Sequence, residues 1–330
     1  MSLPVRRPLL LGLIALAAAC APELARACDS SSCLLVTRGQ NGLLAKGDWR
    51  VDFSYRFTPM TELLRGNESV SEVLRPKIDF ENRRLLPGYH DELGGHDNFL
   101  QLDVAYGLFK RTSLFASLPV RATRDFDIGH LPVQRETYST VGNGDVLLGV
   151  RHATFQRASD SLVGALMLEL PAGKYALTAP ADRVDRGILD PMLQPGTGSV
   201  DVGAAFQYGR RLGGAWDATA AASYQLYTTN DLDFRSGADA IASFTVSRPL
   251  YGALAGSLQL KGMHKDRSDF MDEPVPNTGG HFLYLVPGLS VRAPLKMALY
   301  GYAVVPVYRY VNEAQLAPRT GFVLGMSRSF

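Results

Sequence analysis

"TGFVLGMSRSF", residues 320–330, closes the chain and decides how the rest of it is read. Every second residue gives Thr320, Phe322, Leu324, Met326, Arg328 and Phe330, a row that is mostly large and apolar. The residues between, Gly321, Val323, Gly325, Ser327 and Ser329, are mostly small or polar. Period two puts the two rows on opposite faces of a strand. The chain is thus expected to stop inside a strand, with Phe330 on the apolar face, where a water-soluble domain usually frays. A sheet that ends this way is one whose last strand pairs with its first, as in a closed barrel.

"WRVDFSYRF", residues 49–57, repeats the pattern at the other end. Trp49, Val51, Phe53, Tyr55 and Phe57 share one face; Arg50, Asp52, Ser54 and Arg56 share the other. A soluble sandwich would bury the aromatic face against a second sheet. A membrane barrel would turn it to lipid and the charges to a polar lumen. The remaining chain chooses the barrel. Further strands are predicted near 98–109, 113–123, 142–155, 160–171, 198–210, 215–228, 238–249, 251–264, 281–292, 296–310 and 318–330. Most are longer than the strands of soluble sheets and long enough to cross a bilayer at a tilt. "KRT", "QRASD", "RLGGA", "PLYG" and "APLK" read as tight turns. Long polar loops alternate with them, at about 58–97, 124–141, 172–197, 229–237, 265–280 and 311–317. Short turns on one side and long loops on the other predict an all-β, transmembrane, antiparallel up-and-down β-barrel of about 12 strands. Its expected place is the outer membrane of a Gram-negative bacterium, with both ends periplasmic.

The front end agrees with export. Arg6 and Arg7 precede an apolar run, Leu9 to Ala19, too short to span a bilayer. Ala25-Arg26-Ala27 then offers a cleavage site, so 1–27 reads as a signal peptide. A second reading takes "LAAAC", ending at Cys20, as a lipoprotein box. Cleavage after Ala27 leaves Cys28 and Cys33, an even pair that reads as a disulfide in an exported chain. The domains expected are a periplasmic segment at 28–47, able to plug the mouth, and the barrel at 48–330. Losing three arginines and one glutamate turns 34 basic and 32 acidic residues into 31 of each. That neutrality argues against a nucleic-acid partner.

The middle of the chain resembles a known family. "GNGDVLLGVRHATF" (142–155), "LELPAGKY" (168–175), "GTGSVDVGAAFQYGRRLG" (196–213) and "ASLPVRATRDF" (116–126) are similar to strands of outer-membrane proteins of the "putative meta-pathway of phenol degradation" family. The resemblance implies a channel or transporter for small solutes, including hydrophobic or aromatic compounds. The terminal Phe330 also resembles the signal by which such barrels reach their assembly machinery, although Arg328 departs from that pattern. Outer-membrane lipid, the barrel-assembly machinery and a small-molecule solute are the partners implied.

The lumen side carries a charge map. Asp103, Asp145, Glu169 and Asp201 fall on strands two, four, five and six, with Arg121 among them on strand three, placed to pair with Asp145. Arg56, Lys261, Arg309 and Arg319 fall on strands one, nine, eleven and twelve, contiguous once the barrel closes. Acids facing bases would set a transverse field across an open bore. The other reading is a static network of ion pairs that fills a narrow lumen. His90, His96 and His130 lie in the first two long loops, the first two beside Asp91, Glu92 and Asp97; they are weak metal candidates whose spacing matches no motif, and no cofactor is assigned. An enzyme would need a nucleophile and an orienting group beside His152, and no serine stands there. A structural or adhesion barrel is the remaining alternative.

Overall fold

The computed structural model describes residues 43–71, 73–130, 134–184 and 186–330, without the side chains of residues 120–126, 130 and 134. The signal peptide, Cys20 and the Cys28–Cys33 pair lie outside the described residues.

Twelve long strands form one antiparallel barrel. They are β1 (Trp49–Gly66), β2 (Arg84–Phe109), β3 (Thr112–His130), β4 (Gln134–Asn143, continued by Val146–Gln156), β5 (Asp160–Leu170) and β6 (Asp201–Leu212). They continue with β7 (Trp216–Leu226), β8 (Asp239–Tyr251), β9 (Leu254–Lys265), β10 (Gly280–Ala293), β11 (Met297–Pro318) and β12 (Gly321–Ser329). Each strand pairs with the next in sequence. β1 closes the ring: it pairs with β2 from Trp49–Tyr106 to Met60–Gly95, and with β12 from Arg50–Ser329 to Phe57–Phe322. The N–H of Phe330 donates to the Trp49 carbonyl (2.9 Å), so the closing row of the sequence is an interior row of the sheet.

The alternation sorts as the sequence predicts. Asp52, Ser54, Arg151, Asp201 and Val323 point into the bore and are buried. Phe53, Leu166, Phe206, Phe244, Leu258 and Leu324 point outward, with Leu166 65% exposed. An apolar surface that runs around a whole barrel would aggregate in water. In lipid it is the stable arrangement, so this is a membrane-spanning wall of the outer-membrane type. Turns are short at one end. "APLK" is a tight hairpin: three residues, Pro294, Leu295 and Lys296, join β10 to β11, and Leu295 and Lys296 are both at positive φ, 62° and 56°, matching the right-handed twist of the flanking strands. By the usual orientation of outer-membrane barrels the turn end is periplasmic and the loop end extracellular.

The loop end departs from the expected boundaries. Three of the six predicted loops are largely strand. β1 runs on to Gly66, β2 starts at Arg84, and β3 with the first part of β4 makes a tall hairpin over 112–143. β11 rises to Val311, doubles back around Asn312 and Glu313 (φ 51°), and descends beside β1 as Ala314–Pro318. Above the bilayer neither face meets lipid, so the backbone ladder continues without an apolar row to announce it. The true excursions are 171–200, 227–238 and 266–279, with a small three-stranded sheet, Phe234–Arg235, Asp269–Phe270 and Glu273–Pro274, across the last two.

Candidate functional site

The periplasmic half of the bore is built from strand side chains. Cross-strand register places Asp52, Asp103, Ser117, Leu147, Glu169 and Asp201 in one continuous inward row over β1 to β6. Asp52 and Asp103 stand directly opposite each other, which is unfavourable for like charges unless they are compensated. The compensation is visible. Tyr300 Oη donates to Asp52 Oδ1 (2.7 Å), and Gln101 Nε2 donates to both oxygens of Asp103 (2.8 and 2.9 Å). The Arg151 guanidinium lies 4.0 Å over the Phe115 ring, within electrostatic reach of Asp103. These hydrogen bonds and the nearby cation offset part of the cost of burying the two carboxylates.

Apolar groups fill what remains at this level. Tyr284, Val286, Tyr300, Tyr302 and Val323 pack together on the β10–β12 wall. Glycines opposite make the room: a Cβ at Gly288 would meet the Tyr302 ring at 2.3 Å, and one at Gly325 the Tyr300 hydroxyl at 2.2 Å. On the other wall Leu44 packs with Ala105, Phe115, Ala165 and Met167. Its N–H donates to Ser113 Oγ (3.1 Å), and Gly47 and Asp48 bond the backbone of Gly107. The chain just before β1 therefore sits in the periplasmic mouth. The plug expected at 28–47 lies mostly outside the described residues.

The extracellular half is filled differently, by a tongue formed from residues 171–200. β4 breaks at Gly144 and Asp145, and Asp145 becomes the tongue's anchor. Its Oδ1 accepts the Gly173 N–H (2.9 Å); its Oδ2 accepts the Thr197 N–H (2.6 Å) and the Thr197 hydroxyl (2.8 Å). Asp201 Oδ1 accepts the Thr228 N–H (2.9 Å) and its Oδ2 the Thr197 hydroxyl (3.2 Å). Inside the tongue Gln194 acts as a staple: it accepts from Leu177 N–H and donates to the Leu177 and Leu189 carbonyls. Leu189 and Leu193 bury against Met60, Ile128, Tyr138 and Leu316 of the wall.

Between the two blocks lies a chamber of about 440 Å³. Arg56, Phe99, Glu169, Tyr227 and Lys265 are on its walls, with Asp145 and Asp190 at the tongue. The Arg56 guanidinium stands 4.5 Å over the Phe99 ring, and the Lys265 ammonium 5.7 Å over that of Tyr227. Cationic groups held against aromatic faces offer both charge and a stacking surface to one small molecule.

The predicted lumen residues fall into three groups. Arg56, Asp145 and Glu169 line the chamber, and Gln225 Nε2 donates to Glu169 (3.1 Å). Asp103 and Asp201 are in the inward row beneath it. Lys261, Arg309 and Arg319 lie on the other wall: the Lys261 ammonium is 5.6 Å from the Tyr284 ring centre, and Arg309 and Arg319 both turn to Glu62, at 2.9 and 3.9 Å. Arg121 takes a register position opposite Phe99, and its predicted pairing with Asp145 lies outside the described side chains. Glu62 among the bases, and Arg50 and Arg151 among the acids, make the two walls less uniform than the sequence suggested. Sequence reasoning passed over these three, although each falls on the inward row of its strand. It also passed over the tyrosine cluster, whose signal is a mid-strand glycine facing a tyrosine.

The histidines separate. His90 is buried beside Glu92 (3.7 Å), which is ion-paired with Arg75; the His96 ring lies 6.0 Å from that of Phe57; the His130 side chain is not described. Among the described residues no three metal-ligating groups converge. His152 faces outward and bonds the Thr112 hydroxyl (3.0 Å).

A family model described as "Putative MetA-pathway of phenol degradation" matches residues 99–295. No curated protein matches the sequence. Among solved structures, an outer membrane channel from Pseudomonas putida F1 shares the fold, with a TM-score of 0.63 at 14% identity over 89% of this chain and 100% of that one. More distant are the translocator domain of the autotransporter NalP from Neisseria meningitidis (TM-score 0.47, 11% identity, 87% and 90% covered) and the CymD monoaromatic hydrocarbon channel (0.40, 9%, 87% and 89%).

Proposed function

We propose a gated-channel function for this chain, which belongs to the family described as "Putative MetA-pathway of phenol degradation". The carrying observation is the chamber, which lies between the tongue and the Arg151–Asp103–Tyr300 layer. A static structural barrel has no need of a cavity furnished with cations on aromatic faces. The solute best suited to it is a small aromatic molecule with a polar or anionic substituent: the ring stacks on Phe99 or Tyr227 and the substituent meets Arg56 or Lys265. Once the tongue is displaced, the inward charges Asp103, Asp145, Glu169 and Asp201 on one side, and Arg56, Lys261, Arg309 and Arg319 on the other, set the ion preference of the path.

The test is reconstitution in planar bilayers and liposomes, using the parent chain and a variant with residues 176–192 replaced by a short Gly-Ser link. The parent should show small, infrequent currents, and the variant large ones. Benzoate and phenol should enter variant liposomes, and benzoate should reduce the ion current. If neither protein passes ions or solute, the barrel is structural.

A further inference from the structure

His264 and His281 face each other across β9 and β10 on the outer surface of the barrel, at its extracellular rim. Their Nδ1 atoms are 3.0 Å apart, and the rings are nearly parallel, 21° between planes with centroids 4.5 Å apart. The far nitrogen of His264, Nε2, is 2.9 Å from Asp266 Oδ1. We propose that this pair is a binding site for a tetragonal divalent metal ion, copper(II) above all, with Asp266 as the group that orients His264.

Three observations support it. The first is tautomer control. A carboxylate on Nε2 keeps the proton there and leaves the Nδ1 lone pair available for an ion, the second-shell arrangement of metal-bound histidines. The second is spacing. With metal–nitrogen bonds of about 2.0–2.1 Å, two cis ligands at a right angle lie about 2.9 Å apart, and two tetrahedral ligands about 3.35 Å. The observed 3.0 Å fits the cis tetragonal geometry that copper(II) and nickel(II) adopt. The third is mechanical. The histidines sit at directly paired positions on adjacent strands, so the backbone fixes their separation, and a rotation of the rings about Cβ–Cγ aims both lone pairs at one point. The outward row below them is apolar, Leu283, Leu285 and Leu260, so the site is at the boundary where lipid gives way to water, and waters can complete the coordination.

The measurement is copper(II) titration of tag-free, detergent-folded protein, followed by electron paramagnetic resonance. One equivalent should give an axial spectrum with nitrogen hyperfine coupling. H264A and H281A, singly, should each lose it, while both variants keep the heat-modified gel mobility of a folded barrel. D266N should weaken copper binding about tenfold or more, as loss of an orienting partner does, and the parent's affinity should rise with pH as protons cease to compete for the same lone pairs. A spectrum unchanged in the folded H264A and H281A variants would overturn the site. A parent chain that takes up no more copper than the double variant would do the same, leaving the two rings a plain hydrogen-bonded pair.

Discussion

At the level of Asp103 the bore is filled by side chains of the wall itself; above it, by a length of chain that leaves the wall and returns. The lower block is made of Arg151, Asp103, Asp52 and Tyr300, each fixed to a strand that is bonded on both sides. To open it, rotamers must change inside a ring whose backbone cannot move. The tongue is different. Its backbone has few ladder bonds, and it is held at separate points: Asp145 grips Gly173 and Thr197, Glu136 accepts the Val184 N–H, Thr140 and Lys77 donate to the Leu193 and Arg186 carbonyls, and Leu189 and Leu193 bury against the wall. Segments with few, localised attachments open at lower free energy than strands in a closed sheet. On the proposed channel reading, this difference makes the tongue the gate and the lower layer a filter that remains when the gate moves.

The largest effect should therefore come from the anchor. Asp145→Ala removes an acceptor of three hydrogen bonds at a buried site, two of them from backbone N–H groups left without a partner. Charged acceptors of this kind contribute on the order of 1.5–3 kcal/mol each. Single-channel recording should show the open fraction of Asp145→Ala raised about tenfold or more over the parent. Asp145→Asn, which keeps some of the acceptors, should fall between them. An open fraction equal to the parent's in both variants would remove the tongue from the gating account.

The lower layer should answer in stability rather than in current. Arg151→Leu leaves Asp103 facing Asp52 with less cationic compensation, and breaking a buried charge pairing costs about 3–5 kcal/mol. Thermal unfolding in detergent should drop for Arg151→Leu. The double variant Arg151→Leu with Asp103→Asn should recover much of the loss. If Arg151→Leu conducts as strongly as Asp145→Ala, the two blocks are equal barriers and the tongue is not the weaker one.

These halves were unequally legible in the sequence. The wall could be read because lipid demands apolar residues on every second position: Phe322, Leu324 and Met326 on one face leave Val323, Gly325 and Ser327 for the bore. The lower block follows from the same parity, which turns Asp52, Asp103 and Asp201 inward. Parity could not say that Asp145 also grips a loop, because its partners, Gly173 and Thr197, come from a stretch with no period. Nor could it follow β2 above the membrane, where "RLLPGYHDELGGHD" (84–97) is strand with polar groups on both faces. The apolar seal of the tongue, Leu189 and Leu193, was hidden in a stretch that reads as polar loop because its apolar residues are scattered and irregular.

A smaller effect is expected at the periplasmic mouth. A Cβ at Gly107 would meet the Ala45 carbonyl oxygen at 1.8 Å, and that oxygen belongs to backbone rather than to a movable side chain. Gly107→Val should expel residues 43–48 from the mouth with the barrel otherwise intact. Limited proteolysis from the periplasmic side should then cut near Lys46 in the variant and spare it in the parent. Equal cleavage of both would mean that the Leu44 contact does not hold the segment in place.

The smallest effect should be a pH dependence of the gate, and Asp190 supplies it. This residue lies on the tongue against the chamber, where its carboxylate also accepts the Met192 N–H (2.9 Å). Desolvation by the surrounding protein, and then the charge of Glu92, push its carboxyl above the ordinary aspartate range; Arg75 and His90 oppose the shift without cancelling it. If the tongue swings out, Asp190 returns to an ordinary environment and an ordinary value. The closed state thus holds the proton more tightly than the open one. Closure is then fully favoured below the ordinary aspartate value and weakens as pH rises through the raised one. Open probability should fall on acidification from neutral pH toward that window. Asp190→Asn keeps a capping side chain on the tongue's short helical turn and copies the protonated form, so it should be closed at every pH and lose the dependence. A parent channel whose gating is flat over this range, or an Asp190→Asn channel that still responds, would place the sensor elsewhere, with Glu92 and His90 of the same buried cluster the next groups to change.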